Sequence, residues 1–162
     1  KFLKDKDISF NIYIHQLMHG YLSKFENMNF GKNVTLLPKE ADITKELMKS
    51  DILITDYSSV AYDYLYLGKP IIFFQFDKNE YKDKVGSYVD MEKELFGEEV
   101  LTVTECVDGI IKIVNSDYKY SEEMQKKTEK LKKKFLAYDD KENCRRVYEL
   151  IQSKLGEKNG KR

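Results

Sequence analysis

The run Asp51-Ile-Leu-Ile-Thr-Asp-Tyr-Ser-Ser-Val60-Ala-Tyr-Asp-Tyr-Leu-Tyr-Leu-Gly68-Lys-Pro70-Ile-Ile-Phe-Phe74 constrains the fold more than any other stretch of the chain. Ile52–Ile54 is a short apolar run of β-formers, suited to a strand buried on both faces. Asp56, Ser58 and Ser59 each carry an oxygen able to cap a helix N-terminus. Apolar residues at 60, 61, 64, 65 and 67 give the next segment one buried face. Gly68 stops that helix and Pro70 prevents it from restarting. Ile71–Phe74 then reads as a second buried strand. The pattern is a βαβ unit, whose crossover is expected to be right-handed.

The turn carries the chemistry. A helix N-terminus at the carboxyl end of a parallel strand presents unpaired N–H groups and the positive end of a dipole, which suits an anion such as phosphate. Ligands of open α/β sheets sit at these strand ends. Ser58 and Ser59 add two hydroxyl donors. From the residues alone, capping and anion binding are both open roles for the serines.

The same residues carry a resemblance. Asp-Ile-Leu-Ile-Thr-Asp-Tyr-Ser-Ser-Val, then Asp63, then Leu67-Gly68-Lys69-Pro70-Ile71-Ile72-Phe73 resembles the donor-site motif of the CDP-glycerol glycerophosphotransferases, the teichoic-acid and capsule polyol-phosphate transferases. The resemblance implies an α/β fold, a Rossmann-like parallel sheet flanked by helices, forming the C-terminal half of a GT-B architecture. It implies a domain that binds CDP-glycerol or a related CDP-polyol, with Asp56, Tyr57, Ser58 and Ser59 around the phosphates and Asp56 ordering the turn. Polyol phosphate passes from this donor to a growing polymer and CMP leaves. The general base then belongs to an N-terminal acceptor domain outside this chain, so the isolated chain is expected to bind nucleotide weakly and to be inactive. No cofactor and no metal is expected.

Other segments extend the likeness. Ile8–Ile14 has strand character, and His15 at its end resembles a family histidine that contacts the donor diphosphate; an imidazole N–H can donate to phosphate oxygens. Gln16 stands where the family has proline, and Tyr13 where a basic residue is common. His19 reads as structural, one helical turn from His15 if a helix begins at once. A helix is expected over 17–25, a loop over 27–33, and a strand at Val34–Leu37 closed by Pro38. By resemblance the Leu37–Pro38 backbone lies on the nucleobase side; an ordinary strand-to-helix loop is the other reading. A helix Ile43–Lys49 follows, capped by Asp42 or Thr44.

After Phe74, residues 78–84 read as a polar loop, with Tyr81 matching an acidic-aromatic family pattern. Gly86-Ser87-Tyr88-Val89-Asp90 resembles a Gly-aromatic-aromatic-Asp segment, with Val85 in place of an arginine and Lys84 as a substitute point charge. Leu95-Phe96-Gly97 resembles a Phe-Gly-Pro turn. A strand Val100–Val103 and a helix Glu105–Asn115 capped by Thr104 are expected, with 106, 107, 110, 111, 113 and 114 as its buried stripe. Residues 121–155 are helical in character. The lysines from Lys126 to Lys134 read first as a solvated face. The second reading is a peripheral contact with an anionic membrane, each basic residue contributing ~1 kcal/mol. Tyr138 to Val147 resembles the family's terminal acidic turn and Arg-Val helix.

Composition narrows the class. Among 162 residues, 41% are hydrophobic and 35% charged, an ordinary globular balance for one domain over 1–155 with a frayed tail at 156–162. Lys+Arg and Asp+Glu number 28 each, which gives no global argument for nucleic acid. Two distant cysteines and two histidines argue against a zinc site and fit a reduced, cytoplasmic setting, peripheral at the inner face of the membrane if the lysine face binds lipid. The absence of a G-x-G-x-x-G argues against a dinucleotide oxidoreductase. The competing readings are a GT-B donor domain for another nucleotide-sugar and a non-catalytic Rossmann-like module.

Overall fold

A computed structural model of the chain describes residues 2–26, 28–86 and 90–159. The backbone divides into two compact units, one ending at Lys49 and one beginning at Ser50. The sequence reading treats 1–155 as one domain.

In the first unit a short helix α1 (Phe2–Asp5) precedes β1 (Phe10–Ile12). A 3₁₀ segment, Gln16–Tyr21, runs into α2 (Leu22–Glu26). The single helix expected here is split: Gly20 weakens an α-helix, and three residues per turn replace 3.6. His15 and His19 therefore do not share an α-helical i, i+4 face; the His19 side chain lies outside the described residues. β2 (Val34–Leu36) pairs parallel with β1, Asn11 opposite Thr35. α3 (Ile43–Lys49) has the expected bounds. Asp42 is its cap, accepting from the Lys45 N–H at 3.2 Å.

The second unit is a three-stranded parallel sheet with β4 central. β3 (Leu53–Thr55) leads through the turn into α4 (Val60–Leu67), and β4 (Ile71–Phe74) returns beside it, Ile54 opposite Ile72. The βαβ reading of this stretch holds within one residue at each element. Gly68 ends α4 at φ +71°, the left-handed conformation that excludes most side chains. α5 (Lys78–Lys84) occupies the stretch read as a polar loop. Its residues are mostly helix formers, and Glu80 and Lys84 pair at i, i+4 in the favourable order. Gly86 at φ +73° ends it.

β5 (Glu98–Val100) lies earlier than the expected 100–103. The chain leaves the sheet at Leu101 because Thr102, not Thr104, caps α6 (Val103–Asn115). Thr102 Oγ1 accepts from the Glu105 N–H at 3.2 Å, and Glu105 accepts in return from the Thr102 N–H at 3.0 Å. The buried stripe of α6 is narrower than expected. Cys106, Gly109 and Ile113 are buried and Val107 is exposed. Gly109 belongs there because a Cβ on it would already touch Ile72, at 3.4 Å. α7 (Glu122–Phe135) and α8 (Asn143–Asn159) complete the unit. α8 continues into the expected tail, and the last three residues lie outside the described ones.

β4 is covered on both faces. Ile72 meets Val100, Cys106 and Ile113, with Ile52, Ile54, Phe74 and Ile110 packed around them. On the other face Phe73 meets Phe96 edge-on, and Tyr62, Phe96 and Phe135 form an aromatic cluster with centroids 5.0 to 5.8 Å apart. This packing anchors α4 and α7 on the sheet, and so fixes the turn at the head of α4. No helix among the described residues is long and apolar enough to cross a membrane.

Candidate functional site

The site residues expected from sequence fall in both units. Asp56, Tyr57, Ser58 and Ser59 form the β3–α4 turn of the second; His15, Leu37 and Pro38 belong to the first.

In the turn, Asp56 Oδ1 accepts from the Tyr57 N–H at 2.6 Å, so the carboxylate orders its own loop. Ser59 is the N-cap of α4 by position, yet its backbone is helical and its side chain makes no capping bond. Ser58 Oγ reaches the Val60 N–H only at 3.5 Å, the outer limit of a hydrogen bond. Capping thus leaves both hydroxyls largely uncommitted. The Ala61 and Tyr62 N–H groups donate to the Ser58 and Ser59 carbonyls. The Ser58 and Ser59 N–H groups have no partner among the described residues. Two backbone donors and two hydroxyls therefore stand together at the positive end of α4.

Tyr57 is held from outside the turn. Its ring stacks on Tyr81 of α5, centroids 3.5 Å apart and 8° from parallel. Its hydroxyl donates to Asp77 Oδ1 at 2.9 Å. Burial, then this bond to a carboxylate, raises the Tyr57 pKa well above the ordinary phenol value. Two cavities adjoin the turn. One, about 320 Å³, is lined by Tyr57, Tyr81, Lys78, Lys82 and Asp90 among others. A smaller one, about 70 Å³, is lined by Asp56, Tyr57, Ser58, Tyr62, Phe73 and Phe96 among others. Lys78 binds Glu99 at 2.6 Å, and Lys84, the expected substitute for an arginine, pairs with Glu80 of its own helix. Ser87, Tyr88 and Val89 of the Gly-aromatic segment lie outside the described residues.

Three residues escaped the sequence reading. The sequence puts Asp77 beside a polar loop and Lys78 within it, whereas they are the N-cap and first residue of α5. Gln75, at the carboxyl end of β4, is fully buried, its carboxamide atoms have no hydrogen-bond partner among the described residues, and its apolar neighbours give no sequence signal for it. The glycine-terminated Lys-Asn-Glu-Tyr-Lys-Asp-Lys run was the available signal for α5.

In the first unit His15 follows β1 and is exposed. Its Nδ1 accepts from the Leu17 N–H at 3.2 Å, which puts the proton of the neutral ring on Nε2. The Leu37 N–H is engaged by the Ile12 carbonyl at 2.8 Å, and the Pro38 carbonyl accepts from Ala41.

The lysines of α7 are not equivalent. Lys132 donates to the Tyr66 carbonyl at 2.9 Å and pairs with Asp139, and Lys134 pairs with Glu94. Lys126, Lys127, Lys130 and Lys133 make no ion pair among the described residues.

A parallel α/β unit with a polar strand–turn–helix at its carboxyl edge is the Rossmann-like class of fold. Residues 1–153 match the family described as CDP-glycerol:poly(glycerophosphate) glycerophosphotransferase, and the chain belongs to it. The chain is 47% identical over 79 residues to the teichoic acid poly(glycerol phosphate) polymerase of Bacillus subtilis (strain 168), covering 48% of this chain and 11% of that protein. It is 29% identical over 145 residues to the teichoic acid poly(glycerol phosphate) polymerase of Staphylococcus epidermidis, covering 89% and 19%. Among solved structures, the wall teichoic acid polymerase TagF aligns over 93% of this chain and 35% of its own, with a TM-score of 0.64 and 25% identity. A variant of that polymerase soaked with CDPG aligns with a TM-score of 0.63 and 25% identity, over 93% and 36%. This chain thus spans about a third of the solved polymerase and a fifth or less of these curated relatives. The family and the GT-B-type α/β fold are those the motif implies, and the family is one of transferases.

Proposed function

We propose that this chain binds the nucleotide-linked donor, CDP-glycerol or a related CDP-polyol, for transfer of polyol phosphate to a teichoic-acid-like or capsule polymer. The observation that carries the reading is the Asp56–Ser59 turn. Its two unpartnered N–H groups and two uncommitted hydroxyls form an anion cradle at the positive end of α4. The family membership and the CDPG-soaked relative support a diphosphate as that anion. In the reaction an acceptor oxygen forms a bond to the donor's β-phosphorus, the bond from that phosphorus to the bridging oxygen breaks, and CMP departs with its charge. Donors fixed on the diphosphate stabilise that charge as it develops, and this positioning is the main catalytic contribution available to such a turn. On the resemblance alone, His15 Nε2–H is assigned to the diphosphate and the Leu37–Pro38 backbone to the nucleobase. The unpaired lysines of α7 are assigned a contact with anionic lipid on the same footing as their sequence reading.

Calorimetric titration of the 162-residue chain with CDP, CDP-glycerol, UDP and GDP tests the reading. Selective binding of the cytidine compounds, weakened at least tenfold in Ser58→Ala/Ser59→Ala by loss of two charge-assisted bonds, is the expected result. Equal affinity for UDP and GDP would favour a nucleotide-sugar donor instead. Binding unchanged in the serine variant would remove the turn from the site.

A further inference from the structure

We propose that Asp77 is a positioning residue: through Tyr57 it sets the geometry of the β3–α4 turn and thereby its affinity for the donor's phosphates. The inference rests on the donor reading above and adds a residue to it from a different element.

The observation is a side chain diverted from its local role. Asp77 is the N-cap of α5, where aspartate ordinarily accepts from N–H groups of the first turn. Here it makes no capping bond. Its Oδ1 instead accepts from the Tyr57 hydroxyl, twenty residues away in sequence. A local preference set aside for a distant contact marks a place where the fold serves something other than its own stability. Gln75, two residues earlier, is a second polar side chain of this connection with no local partner.

The mechanical consequence follows from the chain. Tyr57 immediately precedes the two serines whose N–H groups form the cradle. Its ring is held flat on Tyr81 and its hydroxyl is held by Asp77, so both ends of the side chain are fixed by the β4–α5 connection and α5. With the Asp56 carboxylate on the Tyr57 N–H, the backbone at residue 57 is restrained from both sides. A turn held in advance loses less conformational freedom when an anion binds. Asp77 lines neither cavity beside the turn. The side-chain contact by which Asp77 reaches the turn is its bond to the Tyr57 hydroxyl.

The test is a double-mutant cycle on the 162-residue chain, read as affinity for CDP by calorimetry. Asp77→Ala is expected to weaken binding roughly tenfold, the scale of one hydrogen bond to a charged group. Tyr57→Phe keeps the ring stack, removes the hydroxyl and gives a similar loss. The double variant should be no weaker than either single, because both remove one interaction. Asp77→Asn retains an acceptor and should restore binding to within about threefold. A purely stabilising role would move the urea midpoint and leave CDP affinity unchanged. If Tyr57→Phe does not fold, the comparison of Asp77→Ala with Asp77→Asn decides. Wild-type affinity in Asp77→Ala, or additive losses in the double variant, would overturn the inference while leaving the donor reading intact, provided Ser58→Ala/Ser59→Ala still loses CDP. A wild-type chain that binds no CDP would overturn both.

Discussion

Tyr120 offers the sharpest test of how the second unit is held together. It lies between α6 and α7, is 8% exposed, and its hydroxyl bridges the first residue of the central strand. The Ile71 N–H donates to that hydroxyl, and the hydroxyl donates to the Ile71 carbonyl at 3.0 Å. Ile71 itself has no exposed surface, so water cannot replace the lost partner without opening the sheet. Tyr120→Phe keeps the ring and its packing. It removes two hydrogen bonds and leaves a buried N–H unpaired, a total of about 2–4 kcal/mol. Burial holds the phenol proton well above its ordinary pKa, so the effect should be flat between neutral and mildly alkaline pH. For a chain of this size the loss corresponds to roughly 5–15 °C in the unfolding midpoint of the second unit. Urea unfolding followed by circular dichroism should show a lower midpoint with an unchanged slope. Amide exchange should show Ile71 losing protection by at least about thirtyfold. A destabilisation below about 0.5 kcal/mol, with Ile71 still protected, would refute the reasoning.

Two further perturbations address other joints of the fold. A Cβ at Gly97 would lie 2.6 Å from the Ile71 carbonyl oxygen and 2.8 Å from the Phe73 ring, so Gly97→Ala should destabilise the second unit by about 1–3 kcal/mol; a midpoint equal to wild type in urea unfolding would show that β4 can shift to make room. Asp140 is held by the Arg146 guanidinium and by the Glu142 N–H, which lower its pKa to about 2. For a carboxyl depressed in the folded state, the stabilisation is present above the unfolded value and is lost as pH falls through the folded one. The Asp140–Arg146 contact at the head of α8 should therefore survive at pH 4 and break on approach to pH 2. Carbon-detected NMR titration of the Asp140 carboxyl checks this, and a midpoint near 4 would contradict it.

The parts of the fold most legible in the sequence were those with local punctuation. Ile71–Phe74 stands between Pro70 and a polar residue, and Gly68 marks the end of α4, so β4 and its crossover could be read within a residue. Asp42 and the apolar spacing after it were enough for α3. The β3–α4 turn was legible as a strand–turn–helix because its strand, its serines and its helix are consecutive. Reading failed where a polar helix has no apolar stripe, as in Lys78–Lys84, which buries none of its residues. It failed by two residues at α6 because two threonines compete for the cap, and only the pairing of Thr102 with Glu105 forms a reciprocal box. The division after Lys49 left no composition change to find. The Tyr57–Asp77 and Tyr120–Ile71 bonds join residues 20 and 49 positions apart, and no local pattern encodes such partners.

The central claim is that the head of α4 receives the donor's phosphates. Titrating CDP-glycerol into the ¹⁵N-labelled chain and following the backbone amides tests it most directly. The account predicts that the Ser58 and Ser59 N–H resonances move downfield, further than any others of the second unit, as each acquires a phosphate partner. Saturable binding with those two amides unmoved would contradict it.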